Sequence, residues 1–201
     1  MWTGYVEKAP SHRHDRGRRV SEAPSKQKRF AKSERFAFTL RDLEDKDREA
    51  VLDLWAAAWR KAMPAIDFDQ RRKWFSAHIA QLELLGFVTR CATGSRNRRV
   101  LGFMALSPKL RYLDQVVVDL DHWGKGVAAA LITEAKRLSP HGLWLDVNQD
   151  NSRAIAFYEK HGFYRLRSGR NPRSGLPTFR YAWGDVKPPG KKAVSSKRKR
   201  S

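Results

Sequence analysis

Apolar residues alternate with polar ones at the start of the patterned region. Phe36, Phe38 and Leu40 share one face of a predicted strand over 36–40. Arg41-Asp42-Leu43 then turns the chain and the period becomes helical. Ala50, Val51, Leu54, Trp55, Ala58 and Trp59 recur along one side of a helix over 44–62 that Pro64 ends. A second helix over 68–84 carries Trp74, Phe75, Ile79, Leu82 and Leu85 near one stripe, where aromatic residues read first as core and second as ligand contacts. The texture then changes to a strand over 86–92, a hairpin turn over 93–99 containing Gly94 and Asn97, and a return strand over 100–107 closed by Pro108. A largely buried strand follows over 110–118, with the run Val116-Val117-Val118. A loop over 119–124 leads into an Ala-rich helix over 126–138, which Ser139-Pro140-His141-Gly142 ends. A short strand over 143–147 and a helix over 151–161, terminated by Gly162, come next. Two strands, over 163–169 and 178–183, flank a loop holding Gly169, Pro172, Gly175 and Pro177. The order β-α-α-β-β-β-α-β-α-β-β describes a mixed sheet with helices packed on it. No internal repeat is visible.

Charge separates this patterned region from its ends. The chain has 201 residues, with 41 Lys+Arg against 21 Asp+Glu and a net charge of +20. Residues 1–35 hold ten basic and four acidic residues, and 185–201 hold seven and one, so each end contributes +6. Both ends are rich in Ser, Pro and basic residues and lack hydrophobic periodicity, so they are expected to be disordered extensions around a domain over 36–184. Such tails read either as solvated segments that maintain solubility or as weak nucleic-acid or ribosome contacts. Lys197 to Arg200, KRKR, also has the form of a nuclear import patch. A third reading of 1–35 is a stretch upstream of the true start. No apolar run reaches the roughly 20 residues of a membrane span, and the first residues have no apolar signal core, which predicts a cytoplasmic protein with no membrane partner. The single cysteine, Cys91, excludes an internal disulfide and a Cys-cluster metal site. The six histidines lack ligand spacing, so no metal is expected. No G-x-S-x-G elbow supports a serine hydrolase.

The most informative stretch is Val116 to Ala128. A buried strand feeds a short loop whose glycines, Gly124 and Gly126, stand at the first turn of a helix. Helix N-termini leave about four N–H groups unpaired and carry partial positive charge, and glycine lets an anion approach them closely. Lys125 adds a full charge. This spacing is neither a Rossmann nor a Walker signature, and a plain strand-to-helix turn is the plainer reading. Farther on, Asn151 is a sensible N-cap, and Tyr158, two turns later, shares its helical face. That tyrosine reads as core, interface or acid catalyst.

Together these two segments resemble the acetyl-CoA-binding core of the GNAT (GCN5-related N-acetyltransferase) superfamily. The first motif, [QR]-x-x-G-x-[GA], is matched at Gly126 and Ala128, with Trp123 in place of the Gln or Arg. The later motif, N-x-x-A-x-x-[FL]-Y-x-x-x-G-F, is matched at Asn151, Ala154, Phe157, Tyr158, Gly162 and Phe163. The resemblance covers 36–183, and the stretch Asn171 to Pro177 before Tyr181 and Trp183 is similar to a bacterial subset of unassigned acceptor. It implies an α/β (α+β) fold, a mixed, mostly antiparallel sheet of about seven strands flanked by about four helices.

The resemblance also implies acetyl transfer from acetyl-CoA, as co-substrate and without a metal, to a primary amine by direct attack in a ternary complex. Tyr158 then matches the usual proton donor to the departing thiolate. The base is expected on the strand over 110–118, where alternation would place 112, 114, 116 and 118 on one face. Asp114 is the leading candidate there, with Asp119 and Asp146 behind it. The backbone of Val116, Val117 and Val118 is expected to pair with the pantetheine arm. Trp123, Gly124, Lys125, Gly126, Val127 and Ala128 are expected around the pyrophosphate, and Asn151 on the CoA chain. Trp59, Asp67 and Trp74 are acceptor contacts by fold position alone. The partner is a small-molecule or protein amine, and the protein a monomer or homodimer. The competing reading is a non-catalytic acyl-CoA-binding module directed to nucleic acid or ribosome by its basic tails.

Overall fold

The computed structural model describes residues 37–62 and 67–186. The extension over 1–35 and nearly all of the tail over 185–201 therefore lie outside the described residues. Seven strands form one sheet in the order β1-β2-β3-β4-β5-β7-β6. They are β1 (Phe38–Asp42), β2 (Val88–Gly94), β3 (Val100–Ser107), β4 (Tyr112–Val118), β5 (Gly142–Asn148), β6 (Tyr164–Arg170) and β7 (Pro177–Gly184). The helices are α1 (Arg48–Ala62), α2 (Phe68–Leu84), α3 (Val127–Leu138) and α4 (Ser152–Lys160). These elements lie within a few residues of those predicted from periodicity. The last strand does not follow in sequence order: β7 inserts between β5 and β6, antiparallel to both.

Two hydrophobic clusters lie on opposite faces of the sheet. On one, α3 and α4 bring Val127, Leu131, Ile132, Ala154 and Tyr158 against Met104, Leu113, Val116, Val118, Leu145 and Val147. On the other, α1 and α2 bring Trp55, Trp59, Phe68, Phe75 and Ile79 against Cys91, Phe103, Ala105, Tyr112 and Val117. The aromatic stripe of α1 and α2 is thus mainly core. Trp55 and Phe75 stack with centroids 4.2 Å apart and planes 6° from parallel. With helices on both sides, β3 and β4 are buried along their whole length, which is why their sequences run apolar rather than alternating.

Strand β4 departs from the expected alternation. Its register with β3 pairs Ala105 with Gln115 and Leu106 with Leu113, so Asp114 is the extra residue of a β-bulge. Tyr112 faces α1 and α2, while Val116 and Val118 face α3 and α4. Residues 112, 114, 116 and 118 therefore do not share a face, because the bulge inserts one residue into a period of two.

The sheet also opens at its centre. Among the described residues, β4 and β5 are its only parallel neighbours, and their ladder is confined to Tyr112 opposite Trp144. The Trp144 N–H donates to the Arg111 carbonyl at 2.8 Å. Both strands run on, to Val118 and Asn148, without pairing with each other. A wedge between two central strands results.

Candidate active site

The wedge presents the backbone of Val116 to Val118, whose other edge is paired with Gly102 to Met104 of β3. Strand edges carry hydrogen-bonding groups that seek partners. One is already engaged: the Trp123 indole N–H donates to the Val118 carbonyl at 2.9 Å. The same ring carries the Arg153 guanidinium 4.5 Å from its centroid. A cation is thereby delivered from α4 to the position where Trp123 replaces a polar residue.

Beyond β4 the chain makes one 3-10 turn, Leu120–His122, and enters α3. Gly124 and Gly126 have φ of 74° and 84°, the left-handed region that favours glycine. Gly126 is the N-cap of α3, and no side chain caps this end. A Cβ on Gly126 would meet no heavy atom within 4 Å, so its surroundings are open. The free N–H groups of the first turn and the helix dipole give this end a positive potential.

Strand β4 and helix α4 also carry buried polar atoms. The hydroxyls of Tyr112 and Tyr158, Oδ1 of Asp114 and Oε1 of Gln115 are inaccessible and have no hydrogen-bond partner among the described residues. Burial pushes the Tyr158 phenol above its ordinary value. Tyr112 is raised as well, by burial first and then by the charge of Asp114. Both phenols stay protonated and able to donate.

Asp114 itself is fully buried. Its Oδ2 accepts from the Gln115 amide at 2.9 Å and lies 2.8 Å from Nε2 of His78 on α2. A carboxylate only accepts, so the Nε2–H of His78 donates. The imidazole stacks on Trp74, centroids 5.0 Å apart. Sequence reading did not single out His78. It pairs with Asp114 across 36 residues, and no local pattern on α2 marks the pairing.

The other residues singled out from the sequence fall in several places. Asp146 is held by Arg180 through two bonds of 2.8 and 2.7 Å. Asp119 accepts from Arg99 at 2.8 Å and caps the 3-10 turn. Both carboxylates are thus paired with arginines, whereas Asp114 keeps Oδ1 without a partner among the described residues. Asn151 caps α4, its Oδ1 accepting from the Ala154 N–H at 3.0 Å. Val127 and Ala128 bury their side chains under α3, leaving their backbone for any ligand contact. Asp67 caps α2, accepting from the N–H groups of Asp69 and Gln70. Trp59 is core, 1% exposed. Of the three residues placed by fold position, Trp74 lines a cavity of about 200 Å³.

A family model described as the Acetyltransferase (GNAT) family matches residues 48–163. The chain is 38% identical over 63 residues to the peptidyl-lysine N-acetyltransferase YjaB of Salmonella typhimurium, covering 31% of this chain and 41% of that protein. The chain thus spans less than half the length of that curated relative. With peptidyl-lysine N-acetyltransferase YiaC of Escherichia coli it is 24% identical over 156 residues, 72% of this chain and 95% of the relative. The solution structure of apo YjaB from Escherichia coli superposes with a TM-score of 0.59 at 23% identity, covering 73% of this chain and 97% of that one. The PaiA N-acetyltransferase from Thermoplasma acidophilum, solved in complex with coenzyme A, gives 0.60 at 16% identity, covering 72% and 98%. At such identities these two structures show a shared fold.

Proposed function

The chain belongs to the acetyltransferase (GNAT) family, whose model matches more than half of it, and from that premise we propose an N-acetyltransferase that moves an acetyl group from acetyl-CoA to an amine by direct attack in a ternary complex. The observation that carries this reading is the set of buried polar atoms without partners, on Tyr112, Asp114, Gln115 and Tyr158, beside strands that part at Tyr112. Buried polar groups are rarely left unsatisfied; three of these stand on β4, the strand that parts from β5, and the fourth on α4, which packs against β4, so a polar ligand along that strand fits them.

The residues present fit acetyl-CoA. The free edge of Val116 to Val118 suits an extended, amide-bearing arm. The uncapped start of α3, with Gly124, Lys125 and Gly126, suits a pyrophosphate. Trp123, with Arg153 on its ring, flanks that end. Bound there, acetyl-CoA supplies a thioester whose carbonyl carbon is open to attack.

The protein must then manage a proton. An alkyl amine of pKa about 10.4 is neutral at pH 7 only at a cost of about 4.6 kcal/mol. Asp114, held by His78 and Gln115, receives that proton, directly or through the His78 imidazole. As the nitrogen–carbon bond forms and the carbon–sulfur bond breaks, the Tyr158 hydroxyl donates to the departing sulfur. Two protons leave the nitrogen: the ammonium proton passes through Asp114 to solvent, and the one lost as the amide forms replaces the proton that Tyr158 gave to sulfur.

Calorimetric titration of acetyl-CoA into the full chain, beside Gly126→Glu, tests the reading. Saturable binding that the added carboxylate removes, with the circular dichroism of the variant unchanged, is the expected result. A folded wild-type protein that does not bind acetyl-CoA overturns it.

A further inference from the structure

The cavity beside Trp74 has a composition that speaks to the acceptor. It is lined by Trp55, Phe68, Arg71, Trp74, Arg173 and Ser174. Three aromatic side chains form its walls, and both charged groups are guanidinium groups, with no carboxylate among its described lining residues. The Arg173 guanidinium sits 4.6 Å from the centroid of Trp74, and that of Arg71 lies 5.7 Å from Phe68. The cavity connects to the proton-handling pair through side chains already described, since Trp74 stacks on His78 and His78 bonds Asp114.

Arg173 is presented by a loop that is itself organised. Asn171, 4% exposed, accepts through its side chain from the N–H groups of Arg173 and Ser174 at 2.9 and 3.1 Å. Its N–H donates to the Leu176 carbonyl, and Leu176 packs on the α1–α2 cluster. The loop between β6 and β7 is thereby pinned over α2. Among the described residues no carboxylate pairs with Arg173, although the same surface elsewhere pairs Arg72 with Glu49 and Asp53.

We propose that the acceptor carries a carboxylate and an apolar group beside the amine that is acetylated. This deepens the acetyltransferase reading and rests on it. A guanidinium offers parallel donors that match a carboxylate, and the aromatic walls suit one apolar side chain. The two cations also act on the amine. They disfavour its ammonium form and so lower the cost of the neutral nucleophile. A polycationic acceptor meets the same field as repulsion. The carboxylate belongs either to a free amino acid or to an acidic side chain next to an acceptor lysine in a peptide.

Matched pairs of amines decide the matter in the full-length protein, with thiol release from acetyl-CoA as the rate. Phenylalanine is compared with phenethylamine, tryptophan with tryptamine, and a lysine peptide flanked by Glu with one flanked by Gln. In at least one pair the carboxylate member is expected to have the higher kcat/KM, by about tenfold or more. That ratio collapses in Arg173→Ala and is partly restored in Arg173→Lys. The pair that shows it identifies the carboxylate's source. Equal kcat/KM within every pair overturns the proposal, as does a ratio unchanged in Arg173→Ala. Should acetyl-CoA bind but no amine release thiol, the acetyltransferase reading falls. Tryptophan fluorescence then compares N-acetylphenylalanine with N-acetylphenethylamine, and equal affinity overturns the carboxylate site on its own terms.

Discussion

His78 on α2 and Asp114 on β4 meet side chain to side chain, with Nε2 of the imidazole 2.8 Å from Oδ2 of the carboxylate. The pair joins the two walls of the candidate site. Asp114 stands at the β4 bulge, and His78 stacks on Trp74 at the cavity. A buried carboxylate that orients an imidazole fixes which ring nitrogen carries the proton. It also keeps the two groups from acting independently.

His78→Gln and Asp114→Asn are each expected to lower kcat/KM by about 10²–10⁴. The double variant should lose little more than the worse single one, because residues acting as a unit are not additive. Initial rates of thiol release across the four proteins measure this. Losses that multiply in full would separate the two residues.

Tyr158 should trade stability against turnover. Its hydroxyl is buried without a partner, so Tyr158→Phe removes a desolvated polar atom and breaks no hydrogen bond among the described residues. We expect stability to hold or to rise by about 1 kcal/mol, while turnover falls by about 10²–10⁴. Urea unfolding and single-turnover kinetics on the same preparation test both halves. A destabilised variant with intact turnover would assign Tyr158 to packing.

Asp67 is expected to behave as a cap. Asp67→Ala deprives the Asp69 and Gln70 N–H groups of their acceptor. It should cost about 1 kcal/mol in denaturant unfolding and leave the acceptor KM unchanged. A rise in KM without loss of stability would return Asp67 to the acceptor site.

Cys91 gives stability a dependence on alkaline pH. Burial pushes its thiol up to about 12. An unfolded cysteine titrates near about 8.5, so its contribution is complete below that pH and is lost as pH rises toward the folded value. Over this window the wild type should lose stability more steeply than Cys91→Ala, by at most about 1.4 kcal/mol per pH unit. Urea midpoints taken between these limits read the slope. In the native protein below that window, the thiol should resist iodoacetamide, and parallel slopes with rapid labelling would contradict the burial.

What could be read along the chain is what depends on neighbours in sequence. Gly124 and Gly126 announce a loop entering a helix, and Asn151 a cap, because positive φ and capping are settled within a few residues. The helix periods of α1 and α2 likewise reflect the sides they bury. The run Val116-Val117-Val118 already indicates that β4 is largely buried. Trp123 shows the limit of such reading. Its departure from the family motif looked like the loss of a polar group, yet the fold sets Arg153 of α4 on its ring.

The sequence by itself determined the elements, their order and the two motifs that resemble the family's acetyl-CoA-binding core, since each is written in local spacing and local backbone preference. Only the tertiary structure decided that β7 lies between β5 and β6, that β4 and β5 part after Tyr112, and that a bulge turns Asp114 toward His78. It alone brought Arg173 onto Trp74, from a loop far along the chain. The physical reason is the same in each case. Strand pairing and side-chain contacts across a sheet join residues that are distant in sequence, and their energy depends on what the rest of the chain places opposite them.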